Sequence, residues 1–114
     1  MALVLNEDQA MIRDSAEGFF KAEAPTTAFR KLRDSNDATG FDRALWKKMA
    51  EMGFAGVLVP EGHGGSGFGY VGAGLIQEAI GRNLSLSPML STAILAATAL
   101  LVGGTDEQRS EERR

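Results

Sequence analysis

The sequence predicts an all-α fold, an orthogonal or up-down bundle of about four to five helices that forms a single domain over residues 1–114. Apolar residues recur at helical spacing in four separate segments, and capping residues and glycines mark where those segments begin and end. A chain of 114 residues is long enough to bury one core of its own.

Helix one is predicted from a capping signal. Asn6 is followed three residues later by Gln9, and apolar residues then recur at helical spacing up to Phe20. We expect this helix to end near Pro25, because proline removes a backbone donor and restricts the residue before it.

The next segment, residues 26–40, is polar and mixed, and we expect an irregular connection with one helical turn around Phe29 and Leu32. Helix two is predicted to begin at about Asp42 and to end at Gly53, because glycine readily forms a left-handed C-terminal cap. We expect its large apolar side chains to fill the core: Leu45, Trp46, Met49 and Met52.

Residues 54–59 (FAGVLV) are a brief apolar run that fits either a strand stub or an extended segment lying against the helices. Helix three is predicted over residues 70–83 and helix four over residues 89–102. Helix four is apolar on nearly every side, but it is shorter than the roughly 20 residues that cross a bilayer, so we expect no membrane contact. Thr105 and Gln108 form a second capping box, which begins a fifth helix that runs to Arg114.

A glycine-rich stretch, VPEGHGGSGFGY at residues 59–70, raises the possibility of a phosphate-binding loop. The following region lacks a second strand ending in an acidic residue, and the chain has no GK[ST] motif. We therefore interpret the stretch as a compact turn leading into helix three, with a small nucleotide-binding protein as the alternative. His63, the one histidine, is expected to be a solvated loop residue that coordinates nothing.

Composition excludes several classes of protein. The formal charge is -3 and the basic residues are scattered, which argues against a nucleic-acid partner. There are no cysteines, so thiolate metal sites and cysteine nucleophiles are excluded, and we expect a cytoplasmic protein without metal. The start, MALVLNEDQA, lacks the basic flank and cleavage pattern of a signal peptide.

Four stretches of the chain together resemble the N-terminal helical domain of the FAD-dependent acyl-CoA dehydrogenases. They are the opening helix, LWKKMAEMGFAGVLVPEGHGGSGFGY, QEAIGRNLSLSPMLST and GGTDEQR. His63 departs from the family pattern, which usually has tyrosine before the paired glycines. The residues that carry the resemblance are Leu45, Trp46, Gly53, Val59, Pro60, Glu61, Gly64, Gly65, Gly67, Glu78, Gly81, Arg82, Gly104, Thr105, Glu107 and Gln108.

The resemblance implies an oxidoreductase of fatty acid metabolism that removes hydrogens from the α and β carbons of an acyl-CoA thioester, with FAD as acceptor. In the family, the base lies in a C-terminal helical domain, and the flavin is held mainly by that domain and a middle β domain. Neither domain is present in these 114 residues. We therefore assign no catalytic or cofactor-binding residue, and we expect the chain alone to be inactive and free of FAD.

By the same analogy, the wall of the acyl pocket comes from the first turns of helix four, and the substrate-binding candidates are Ser91, Thr92 and Leu95. The alternative is that Ser91 and Thr92 only bond back to their own helix. A different class of function is a free-standing helical module that binds a protein partner through helices three and four. In either case we expect a homo-oligomer that pairs these two helices.

Overall fold

The computed structural model describes the backbone of residues 4–112 and the side chains of residues 4–109. The described residues form helices and contain no strand, which confirms the all-α prediction. The expected start at residues 1–3 and the end of helix five at Arg114 lie outside them. The elements in chain order are α1 (Glu7–Glu23), α2 (Thr26–Asp34), α3 (Arg43–Glu51), a 3₁₀ turn (Glu61–His63), α4 (Gly69–Asn83), a π-helix (Met89–Ala96), α5 (Ala97–Gly103) and α6 (Asp106–Glu112).

The first helix begins as the capping box predicts. The side-chain oxygen of Asn6 accepts a 2.8 Å hydrogen bond from the backbone N–H of Gln9, and the side-chain oxygen of Gln9 accepts a 3.0 Å bond from the N–H of Asn6. The residues of α1 that point into the core are spaced four apart: Ile12, Ala16 and Phe20. The helix therefore presents one narrow apolar stripe to the rest of the domain.

The prediction of an irregular connection over residues 26–40 is wrong for its first nine residues, which form α2. Pro25, in an extended conformation, is the N-cap, so the proline that ends one helix also begins the next. None of the residues of α2 is fully buried, and Phe29 and Leu32 are half-buried one turn apart. The segment was predicted to be irregular because Asp, Ser, Asn and Gly residues cluster near its end, and this cluster begins only where α2 ends at Asp34.

The helices α3 and α4, the π-helix and a turning segment form the core with α1. The central helix α4 packs along α1, and α3 contributes Leu45 and Met49. Residues 54–59 are neither a strand nor an extended run. They form successive turns that bury their apolar side chains, namely Phe54, Val57, Leu58 and Val59. The aromatic rings of Phe20 and Phe54 stack at 5.9 Å in the middle of this core.

An exposed ion pair joins the end of α1 to α3. Lys48 Nζ donates a 2.8 Å hydrogen bond to the carboxylate of Glu23, and this bond, with the charge of Glu23, raises the pKa of Lys48. Both side chains are largely exposed to solvent, so the pair contributes little to the stability of the fold.

The predicted helix four is two elements in the structure. Residues Met89–Ala96 form a π-helix, and the chain then narrows to the α-helix α5. The predicted capping box of Thr105 and Gln108 is confirmed at the start of α6. Arg109 then closes the bend, since its guanidinium donates to the carbonyl oxygens of Leu100 at 3.2 Å and Leu101 at 3.0 Å.

None of the helices within residues 4–112 combines the length and the apolar composition needed to cross a membrane.

Candidate functional site

The glycine-rich loop uses its own backbone donors internally. The N–H groups of residues 64, 65, 66, 67 and 68 all donate to backbone carbonyl oxygens, at distances between 2.9 and 3.1 Å. A phosphate-binding loop needs such groups free to point at the ligand. The geometry therefore supports the compact turn and gives no support to a nucleotide site.

Glycine is required in this loop for two reasons. Gly64, Gly67 and Gly69 have φ values of 87°, 66° and 72°, in the left-handed region that glycine occupies without strain. At Gly65, a Cβ atom would overlap the carbonyl oxygen of Val59. The loop is thus folded tightly back on residues 56–60.

His63 lies at the end of the 3₁₀ turn and is half-buried. Among the residues whose positions are described, no three histidine, aspartate or glutamate side chains come together in a way that could hold a metal ion. His63 thus belongs to a short 3₁₀ turn and is half-buried rather than fully solvated, and its expected lack of a ligand stays a prediction.

A cleft of about 330 Å³ opens between α3, the glycine-rich loop and the π-helix. We call it the Trp46 cleft, after the only tryptophan of the chain. Apart from one threonine and one serine, its surface is apolar side chain and glycine backbone. The lining residues are Trp46, Ala50, Gly53, Ala55, Gly56, Val59, Gly64, Gly65, Ser66 and Thr92.

The three predicted substrate-binding residues do not share this cleft. Thr92 lines it, opposite the α3 helix, whereas Ser91 and Leu95 are not among its lining residues. Leu95 is 60% exposed, and Ser91 is also exposed, with its hydroxyl donating a 3.2 Å hydrogen bond to the carbonyl oxygen of Pro88. The structure therefore contains the back-bond that was the alternative interpretation of Ser91.

Sequence reasoning missed the exposure of two side chains that were expected in the core and one contact between helices. Trp46 is half-buried and borders the cleft, and Met52, also expected in the core, is 48% exposed. The hydroxyl groups of Tyr70 and Thr98 lie 3.1 Å apart, which ties the start of α4 to α5. Residues 28 positions apart carry no local signal of such contact, so only the fold reveals it.

The residues of the cleft do not fit a flavin dinucleotide. FAD carries a charged pyrophosphate, and the lining of the Trp46 cleft includes no charged side chain to pair with it. Nor does any side chain within residues 4–109 leave a buried polar atom without a hydrogen-bond partner, as a vacant polar site would. The lining of the cleft therefore does not fit the charged part of FAD.

Fold and site together describe a small helical domain with a cleft of mainly apolar lining between α3, the glycine-rich loop and the π-helix. The sequence model for "Acyl-CoA dehydrogenase, N-terminal domain" matches residues 6–111. The chain belongs to this family.

Comparison with individual relatives supports this family assignment. The chain is 28% identical over 103 residues to the acyl-CoA dehydrogenase IpdE2 of Mycolicibacterium smegmatis, covering 90% of this chain and 32% of the relative. It is 32% identical over 112 residues to the probable acyl-CoA dehydrogenase YngJ of Bacillus subtilis, covering 96% and 28%.

Among solved structures, the ChsE4-ChsE5 complex from Mycobacterium tuberculosis matches with a TM-score of 0.83 and 26% identity, over 99% of this chain and 32% of that one. The chain thus spans about a third of the length of the relatives that it matches.

Proposed function

We propose that this chain is the N-terminal domain of an FAD-dependent acyl-CoA dehydrogenase, where it forms one wall of the pocket that holds the acyl group. The observation that carries the proposal is an exposed apolar face on the π-helix of a chain that belongs to this family. Leu90 and Leu95 are 57% and 60% exposed there, on a helix whose other side is buried in the core. π-Helical segments are rare and are found frequently at functional sites.

Ser91 and Leu95 have different roles in this proposal. Leu95 provides apolar contact for the acyl tail, since burial of a leucine side chain contributes about 1.5–3 kcal/mol. Ser91 is small and its hydroxyl is already bonded to Pro88, so it leaves room for the tail without presenting an unpaired polar group.

Thr92 borders the wall on the side of the Trp46 cleft. It is exposed and lines the cleft, which lies between the π-helix and α3. Of the three residues, Thr92 alone lines the cleft, and Ser91 and Leu95 lie outside it.

The chain has no proposed catalytic residue. In the family, the proton of the α carbon is removed by a base in the C-terminal helical domain, and FAD accepts the β hydride. What the residues of this chain contribute is an apolar surface that excludes water from the reacting carbons.

Gel filtration of the purified chain with excess FAD, followed by addition of an acyl-CoA thioester, tests this proposal. We expect a colourless protein peak and no thioester oxidation, with a full-length acyl-CoA dehydrogenase as the positive control. Flavin that elutes with the chain and is reduced by the thioester would contradict the proposal, because it would show that the chain alone binds FAD and oxidises the substrate.

A second candidate, a helical protein-interaction module, is favoured by the exposed apolar residues of α4 and α5. Tyr70, Val71 and Val102 are 64%, 52% and 81% exposed. Such residues can equally cover a second copy of the chain, so we propose self-association through α4 and the π-helix–α5 segment. The ChsE4-ChsE5 relative is itself a complex of two proteins, which supports association in this family.

A further inference from the structure

The described methionines fall into two classes by exposure. Met49 and Met89 are buried, with 0% and 1% of their surface exposed. Met11 and Met52 are 59% and 48% exposed. Two methionine residues are therefore accessible to solvent, and two are buried in the core.

The two exposed methionines line the same groove, which has a volume of about 170 Å³. Met11 lies on α1 beside the buried Ile12, and Met52 caps the C-terminus of α3. Gly53 follows with φ of 84° and reverses the chain, which brings the end of α3 toward α1. The other lining residues are Ile12, Ser15, Gly53, Phe54, Ser66 and Phe68.

We infer that this groove is a site of reversible oxidation by hydrogen peroxide, at Met11 and Met52. In each reaction, a lone pair of the thioether sulfur attacks one oxygen of the peroxide. A sulfur–oxygen bond forms and the oxygen–oxygen bond breaks. The sulfur is oxidised by two electrons to the sulfoxide, and the peroxide is reduced to water, with its hydrogens retained in that water.

The product changes the character of the groove and leaves the fold in place. A sulfoxide is polar and chiral, so two of them beside Phe54 and Phe68 turn an apolar groove into a polar one. Neither sulfur belongs to the buried cluster that holds the domain together, so oxidation at these positions does not unfold it. Oxidation of Met49 or Met89, by contrast, requires that the core open first.

Peptide mapping by mass spectrometry after a timed exposure of the folded chain to hydrogen peroxide tests the assignment. We expect sulfoxide at Met11 and Met52 to accumulate at least about tenfold faster than at Met49 and Met89, because the buried pair reacts only through opening. In urea all four should react at similar rates. Equal rates in the folded chain, or an unreactive Met11 or Met52, would overturn the inference.

A second measurement tests the groove itself. Binding of the hydrophobic dye ANS should fall after peroxide treatment of the natural chain, and methionine sulfoxide reductases should restore it. The double variant Met11→Leu, Met52→Leu retains an apolar groove and should show no such fall. A decrease of the same size in this variant would place the change elsewhere in the molecule and contradict the assignment.

Discussion

The hydroxyl group of Ser66 donates a 3.0 Å hydrogen bond to the carbonyl oxygen of Gly53, 13 residues earlier in the chain. A Cβ atom built at Gly53 would lie 2.9 Å from the same hydroxyl oxygen. The contact ties the glycine-rich loop to the end of α3, and both residues line the Trp46 cleft. A side chain at residue 53 would therefore disturb this contact at the edge of the cleft.

Gly53→Ala should destabilise the domain by about 1–3 kcal/mol, because alanine at φ of 84° is strained and its Cβ displaces Ser66. The matched control is Gly18→Ala on the exposed side of α1, where nothing lies within 4 Å of the added carbon. That change should stabilise the chain by about 0.5–1 kcal/mol. Urea denaturation measures the free energy of unfolding of both variants. Equal effects of the two changes would contradict the contact described between Gly53 and Ser66.

Gly65→Ala should cost about 3 kcal/mol, because the new methyl group overlaps the Val59 carbonyl. In Gly62→Ala the added carbon meets nothing within 4 Å, and the change should alter stability by less than about 0.5 kcal/mol. Thermal or urea unfolding measures the difference in stability between the two variants.

Titration with NAD or ATP, followed by the fluorescence of Trp46, should show no saturable signal in the natural chain. Saturable binding that Gly62→Ala abolishes would restore the nucleotide interpretation.

The sequence predicted α1, α3, α4 and the start of α6 well, because each begins or ends with a local signal. The capping boxes at Asn6 and Thr105 involve side chains three residues from their partners, so the chemistry is visible in the sequence. α2 was missed because the turn-forming residues after Asp34 are not typical of the whole segment 26–40. The π-helix was read as ordinary α-helix because composition does not distinguish the two.

The sequence did not show how the three candidate site residues lie relative to the Trp46 cleft, and their role in substrate binding stays a prediction. The family resemblance placed Ser91, Thr92 and Leu95 in the first turns of one helix and did not say which of them line a common cleft. The structure turns Thr92 to the Trp46 cleft and leaves Leu95 exposed. Which side of a nearly uniform apolar helix is covered depends on packing partners, and these are set by the whole fold.

Self-association should be concentration-dependent in the natural chain and weaker in Val71→Glu and Val102→Glu. Both residues are exposed, so a charge there opposes burial against a second copy without disturbing the core. Ala38→Glu, on the exposed loop before α3, is the control and should change nothing. Sedimentation equilibrium at high micromolar concentration measures the effect. A natural chain that stays monomeric there would contradict the proposed interface.

The most direct test of the central proposal is the acyl-chain preference of Leu95→Ala in the complete product of the native gene. If Leu95 forms the wall of the acyl pocket, its truncation should raise the ratio of kcat/KM for longer over shorter acyl-CoA substrates by about tenfold. Leu84→Ala, an equally large truncation at the exposed end of α4, should leave that ratio unchanged. A Leu95→Ala enzyme with the same chain preference as Leu84→Ala would contradict the account.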